Sequence, residues 1–194
     1  MNERGATMSE NVNEKKEKGG LVYSCFDLVS IISVAIVAVA LVFIFLFRTV
    51  GVVGSSMFPT LADMDRIILT ASYGEPEYGD IVVTCQPSKS PQIPDVLVKR
   101  VIATAGQTVD IDFNEGVVYV DGAAIDEPYI NEPTHERESF TEPVTVPDGY
   151  VFVMGDNRNH STDSRDNRVG LIREEYILGE ALFRVVPFGQ FKIG

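Results

Sequence analysis

A serine can attack a carbonyl only if something nearby takes its proton, so each serine is judged by the bases within its reach. Ser56 stands in Gly54-Ser55-Ser56-Met57-Phe58-Pro59-Thr60, a bend with a glycine at one end and Met-x-Pro-Thr at the other, where Pro59 is expected to fix the turn. Histidine is the usual partner, but only His135 and His160 are present. Both read as solvated loop residues, although His160 adjoins Ser161. Lysine becomes a base once it is neutral, and burial favours the neutral amine by lowering its pKa, by up to roughly 3–5 units when desolvation is complete. Lys99 lies in Val96-Leu97-Val98-Lys99-Arg100-Val101-Ile102, a run too apolar for a fully solvated strand. Alternation puts Leu97, Lys99 and Val101 on one face and Val98, Arg100 and Ile102 on the other. Either cation then shares a face with aliphatic side chains, unless both snorkel at a sheet edge. A third cluster, Gly155-Asp156-Asn157-Arg158-Asn159-His160-Ser161-Thr162-Asp163-Ser164-Arg165, is dense in short polar side chains that suit a self-bonded turn. It is either an ordered loop and nothing more, or a brace in which Ser161 orients a lysine amine while Asp163 and Arg165 pair. Spacing alone does not choose between these.

Other chemistries are poorly supplied. No His-Glu-x-x-His, paired-cysteine or EF-hand spacing occurs, so neither a metal nor another cofactor is expected. Asp63 with Asp65, and Asp110 with Asp112, could be paired acids for glycoside hydrolysis, but they read better as solvated acids at strand ends. With 28 acidic against 16 basic residues and a net charge of -12, the chain repels nucleic-acid phosphates. Cys25 and Cys85 flank a long apolar run, so no disulfide is expected between them.

These residues need a frame. Positions 1–20 are polar and charged, and 1–26 read as a cytoplasmic disordered tail. Leu28 to Phe47 contains no charge, and at about 1.5 Å per residue a helix of that length spans the roughly 30 Å hydrocarbon core. A cleavable signal peptide is the rival reading, with Ala38-Val39-Ala40 as its small-x-small site, but the apolar run continues past that tripeptide through Phe43, Phe45 and Phe47. A transmembrane anchor at 27–47 is the expectation. Lys15, Lys16 and Lys18 precede it, which places the N-terminus in the cytoplasm and 48–194 outside. Beyond Arg48 come short β-branched runs separated by turn residues: 49–53, 66–69, 80–84, 96–104, 108–112, 116–120, 143–146, 150–154 and 179–186. Asp121-Gly122 reads as a hairpin turn, and 173–176 as a single helical turn. Residues 86–94 and 131–141 read as mobile surface loops. The expected fold class is mainly β.

Together these stretches resemble the bacterial type I signal peptidases, membrane-bound Ser/Lys endopeptidases. The likeness runs from the anchor to about Pro187 and rests on SMFPTL at 56–61, GDIVV at 79–83, KRVIATAG at 99–106, GDNRNHSTDSR at 155–165 and Gly170. It implies a single N-terminal transmembrane helix followed by a compact antiparallel β-sheet ectodomain of signal-peptidase type, in the short single-span Gram-positive-like form. It also implies Ser56 as nucleophile, Lys99 as general base, Ser161 as the hydroxyl that orients the lysine, and Asp163 with Arg165 as the structural pair beside it. The implied partners are signal peptides of exported preproteins with small residues one and three positions before the cut, and the lipid bilayer, with the secretion translocon as a further candidate. The implied location is the bacterial cell membrane. Met57 and the apolar residues of 80–84 are candidates to line the substrate pockets, and Met57-Phe58 is a candidate for lipid contact. The sequence departs from the family pattern at Gly54, where some members carry an oxyanion-binding serine, so the oxyanion would rest on backbone N–H groups including that of Ser56. It departs again at Ala105-Gly106-Gln107, where many members read Pro-Gly-Asp. Two rivals stay open: a self-cleaving repressor-like Ser/Lys protease, and a tethered binding ectodomain without catalysis.

Overall fold

The computed structural model describes residues 26–44, 46–70, 74–87 and 90–187. The expected tail at 1–26, apart from Phe26, lies outside the described residues, as do Lys15, Lys16, Lys18 and Cys25. The chain divides into two compact units, 1–45 and 46–194.

In the first unit Phe26–Ile44 is one helix of 19 residues, long and apolar enough to cross a membrane. Its length is about 28 Å at the rise of an α-helix, and its side chains, among them Val34, Ile36 and Phe43, are exposed along its whole length. It ends short of the apolar run, because Phe47 already pairs with Thr70 in the sheet of the second unit.

The second unit is mainly β, as the sequence predicts. Its strands are β1 (Phe47–Gly51), β2 (Arg66–Thr70), β3 (Ile81–Cys85), β4 (Val96–Ala103), β5 (Thr108–Asp112), β6 (Val117–Val120), β7 (Ala123–Ala124), β8 (Val144–Thr145), β9 (Tyr150–Met154), β10 (Ile172–Arg173) and β11 (Ile177–Val186). They form a seven-stranded sheet ordered β1-β2-β11-β3-β4-β9-β10 and a four-stranded sheet ordered β7-β6-β5-β8. Every pair is antiparallel. The β6–β7 hairpin turns at Asp121 and Gly122, whose φ angles of 53° and 78° are the positive pair that a two-residue turn of this hand requires. Glu174–Tyr176 is a short 3-10 turn at the position expected for a helical one.

Burial alternates along β2, β5 and β6, whereas β3, β9 and the second half of β4 are buried on both faces. Val82, Val101, Val151, Val153 and Ile172 pack on one side of the large sheet. Met57 and Leu61, from the turn around Ser56, pack with Ile67, Leu69, Ile81 and Val83. Ile102, Phe152 and Met154 join Val109, Ile111, Phe113 and Phe140 under the small sheet.

Several expectations are corrected. Lys99 and Arg100 do not snorkel to solvent: each cation is 3% exposed, although β4 pairs with β9 only from Arg100 onward. Residues 131–141 are tied down, with Thr134 and Phe140 buried and the Glu136 carbonyl accepting from Arg165. Asp65 is a buried acid paired with Arg184 at 3.0 Å, while Asp63 accepts the Gly54 N–H. Asp112 caps the turn after β5, as a strand-end acid should.

Candidate active site

The turn that carries Ser56 is anchored by its apolar residues. Met57 and Leu61 are sunk in the core, and the Leu61 N–H reaches the Met57 carbonyl at 2.8 Å. At the near end Gly54 takes φ +90°, a conformation costly for any side chain, and donates to Asp63 Oδ1 at 2.8 Å. The Phe58 N–H closes the bend on the Ser55 carbonyl at 3.1 Å, and the Phe58–Pro59 peptide is cis. Between these fixed points Ser56 is half-buried.

Across from it, β4 delivers Lys99. Register with β3 sets Val82 opposite Lys99, and from Arg100 onward β4 pairs with β9. The amine lies 2.7 Å from Ser56 Oγ, and among the described residues this is its hydrogen-bond partner. No carboxylate lies within ion-pair distance of it among the described residues. Burial therefore brings its pKa down from 10.5 to about 8, helped by the Arg165 charge and opposed by Asp163 and Asp156. A substantial share of this lysine is neutral at mildly alkaline pH, and the Ser56–Lys99 contact can then run with the hydroxyl as donor.

The cluster at 155–165 is a brace built of buried charges. Arg165 grips Asp163 with Nε to Oδ1 at 2.9 Å and Nη2 to Oδ2 at 2.9 Å, both side chains fully enclosed. Its remaining donors reach the carbonyls of Glu136, Arg158 and Ser161. Burial alone would raise the Asp163 carboxyl, but Arg165, the Gly155 N–H and Lys99 outweigh it and hold it below the usual carboxylate range. Ser161 is buried and donates to Asp163 Oδ2 at 2.8 Å. It is not hydrogen-bonded to the Lys99 amine, so the lysine-orienting contact that the resemblance implies is not formed in this structure.

Three features of the site were not assigned from sequence. Arg100, the neighbour of Lys99, makes a two-pronged pair with Asp156 at 2.9 and 2.8 Å, and Asp156 also accepts the Thr60 hydroxyl, so one carboxylate joins β4 to the nucleophile turn. Arg158 pairs in the same way with Glu127 and bonds Thr134. Gly155 leaves no room for a side chain: an added Cβ would lie 2.4 Å from the Ser56 carbonyl oxygen and 2.3 Å from Ser161 Oγ. All sit in or next to blocks legible as motifs, but the partners are far apart in the chain. Neither histidine contributes to the dyad: His160 is exposed beside Glu132 and His135 bonds the Phe113 carbonyl.

A cavity of about 340 Å³ opens onto Ser56 and Lys99. Val50–Val53 flank it on one side and Val96–Val98 on the other, with Met57 in its lining. Met57 is where the sequence reading put it, whereas Ile81, Val82 and Val83 are buried in an inner strand and do not line the cavity. Among the described residues, Val50 and Gly51 of β1 pair with β2 alone and 96–99 of β4 with β3 alone, so each flanking segment has an open strand edge. Among the described residues no group of three or more metal-ligating side chains occurs.

The sequence model for signal peptidase, peptidase S26, matches residues 25–186. A probable signal peptidase I-1 of Synechocystis sp. is 38% identical over 170 residues, covering 84% of this chain and 83% of that protein. The signal peptidase I of Bacillus licheniformis is 37% identical over 179 residues, covering 87% and 92% respectively. The signal peptidase I S of Bacillus subtilis is 36% identical over 195 residues, covering 95% and 97%.

Proposed function

We propose, since the chain belongs to the signal peptidase family, peptidase S26, that it is a membrane-bound serine endopeptidase that removes N-terminal signal peptides from exported preproteins. Ser56 is the nucleophile and Lys99 the general base. The observation that carries this reading is the 2.7 Å contact between Ser56 Oγ and a buried amine that no carboxylate neutralises.

Neutral Lys99 takes the Ser56 proton as Oγ bonds to the carbonyl carbon of the last signal-peptide residue. The Ser56 N–H, which has no acceptor among the described residues, receives the oxyanion. Gly54 has no hydroxyl to add, so the hole rests on backbone. The ammonium of Lys99 then gives its proton to the leaving amine as the C–N bond breaks. Water, deprotonated by the same amine, releases the acyl group. Asp163 and Arg165 hold the floor of the site, and Ser161 acts on Lys99 through Asp163.

The two unpaired strand edges along the cavity suit an extended peptide, whose alternate side chains enter the apolar lining. The family likeness implies small residues one and three positions before the cut. The Phe26–Ile44 helix serves as the bilayer anchor expected at 27–47, with the residues before it in the cytoplasm and the catalytic domain, 48–194, on the outer face of the bacterial membrane. There it meets preproteins as they emerge, and the secretion translocon is a natural neighbour.

The test is cleavage of a preprotein peptide by the full chain in detergent. Ser56→Ala and Lys99→Ala are expected to leave no measurable cleavage while melting as the parent does, and substantial cleavage by either folded variant overturns the dyad. Because only neutral Lys99 acts, kcat/KM should rise with pH through about 8 and fall away in acid. A flat profile from mildly acidic to alkaline pH contradicts Lys99 as base.

A further inference from the structure

In a trans peptide the C=O and N–H point in opposite directions, so whatever grips the carbonyl of residue 55 also aims the N–H of residue 56. The Ser55 carbonyl has two donors. One is local, the Phe58 N–H of the same turn. The other comes from the far side of the site: Asn157 Nδ2 at 3.0 Å. The main-chain N–H of Asn157 also donates to the Ser56 carbonyl at 3.0 Å, so one residue holds two successive peptide planes. Asn157 is itself buried, and its carboxamide is set by Asn131, whose Nδ2 donates to Asn157 Oδ1 at 3.3 Å and whose N–H reaches the Asp156 carbonyl at 3.0 Å.

We propose that Asn157 is a positioning residue for the oxyanion hole, its carboxamide turning the Ser55–Ser56 peptide so that the Ser56 N–H faces the reacting carbonyl. This rests on the reading of Ser56 as a nucleophile whose own N–H binds the oxyanion. The local bond from Phe58 closes a turn whose residues 53–55 and 58–59 are exposed, and it ties that turn to nothing outside itself. Asn157 supplies the outside reference. With no hydroxyl at Gly54, the aim of the backbone donor has no side-chain substitute.

A positioning role of this kind acts in the transition state and leaves ground-state binding alone. In the full chain in detergent, Asn157→Ala is expected to lower kcat roughly tenfold to a hundredfold, less than the roughly 10²–10³ lost with an oxyanion donor outright. KM should stay within about threefold, and the pH midpoint set by Lys99 should not move. A peptide aldehyde adds Ser56 Oγ across its C=O and puts its oxygen in the hole, so its affinity should fall with kcat. The cleaved signal peptide, which forms no such oxygen, should bind as to the parent. Wild-type kcat in Asn157→Ala overturns the proposal, as does an equal loss of aldehyde and product affinity, or a moved pH midpoint. If Asn157→Ala does not fold, Asn157→Asp keeps the shape and the main-chain bond but lacks the donor, and the same loss of kcat and aldehyde affinity at unchanged KM is expected of it. The pH midpoint is read only in Asn157→Ala, because the added carboxylate charge itself raises the Lys99 pKa. Wild-type kcat in Asn157→Asp is equally decisive. Ser56→Ala separates the two readings. An active Ser56→Ala removes the nucleophile assignment itself, whereas an inactive Ser56→Ala beside a fully active Asn157→Ala removes only the positioning role of Asn157.

Discussion

Four cations are buried around the site, and the structure treats one of them differently from the other three. Arg100, Arg158 and Arg165 each face a carboxylate two-pronged, from Asp156, Glu127 and Asp163 respectively. Lys99 is as buried as they are, yet its bond goes to a hydroxyl. The difference follows from what each side chain can do with its proton. A guanidinium keeps its charge in any protein environment, so an enclosed arginine needs a partner. A lysine can shed its charge, so leaving it unpaired lowers its pKa and makes a base of it. Arginine pairs build the frame, and the buried lysine without a pair is the group proposed as base.

The comparison breaks most completely if Lys99 is made to resemble its neighbours. Lys99→Arg keeps the positive charge, cannot lose it, and finds no carboxylate. Cleavage should fall by at least about 10⁴-fold, and the domain should melt lower because an unpaired guanidinium is now enclosed. A Lys99→Arg variant with even a tenth of parental kcat would mean that the proton leaves Ser56 by another route.

Breaking a frame pair tests the other half. Asp163→Asn leaves Arg165 buried without its counter-charge and should cost about 3–5 kcal/mol of stability in urea unfolding. In the fraction that stays folded, the negative charge that supports the Lys99 ammonium is gone, so the pH midpoint of kcat/KM should move downward from about 8. An upward shift would show that Asp163 does not act on the lysine by its charge.

The cost of the unpaired lysine should be visible in stability. Its folded pKa of about 8 lies below the ordinary 10.5, so between those values the unfolded chain binds the extra proton. Below about pH 8 the folded state carries a charge that its surroundings disfavour, a penalty of about 3 kcal/mol by linkage. That penalty shrinks as pH rises from about 8 and is gone above 10.5. Lys99→Met should therefore be more stable than the parent at neutral pH, by up to about 3 kcal/mol less any packing mismatch, with the gap closing in alkali. Equal stability of the two proteins at every pH would mean that the lysine is not held out of its preferred state.

The same contrast explains what could be read from the chain. Lys99 stood out because its run is too apolar for a solvated strand, and Ser56 because it sits in a bend between Gly54 and Pro59, while the core packing of Met57 and Leu61 that fixes this turn is seen only in the fold. The β-sheet was legible wherever alternation lasts four residues or more. It failed at β7 and β10, two residues each, whose pairing is imposed by Tyr119–Val120 and Tyr150–Val151 rather than by their own pattern. Of the frame pairs Asp163 with Arg165, two positions apart, was expected, while the other two were hidden for a different reason. Arg100 meets Asp156 across 56 positions and Arg158 meets Glu127 across 31, and no local period connects charges so far apart. Asn157 looked like one more turn residue, since its contact with Ser55 spans 102 positions. The cavity lining was misplaced because the apolar run at 80–84 is an inner strand, packed on both faces, and an apolar strand does not announce which neighbours cover it.

The smallest effect should come from an ion pair that has the geometry of the frame without its enclosure. Arg173 and Glu175 meet at 2.9 Å, as close as Arg165 and Asp163, but their side chains are 49% and 57% exposed. Water already solvates both charges, so the Coulomb gain is small and is offset by the loss of side-chain freedom. Arg173→Ala should change unfolding stability by no more than about 1 kcal/mol and leave kcat/KM at the parental level. A loss comparable with that of Asp163→Asn would place the difference between frame and surface in something other than burial, and with it the account of why Lys99 alone is left without a carboxylate.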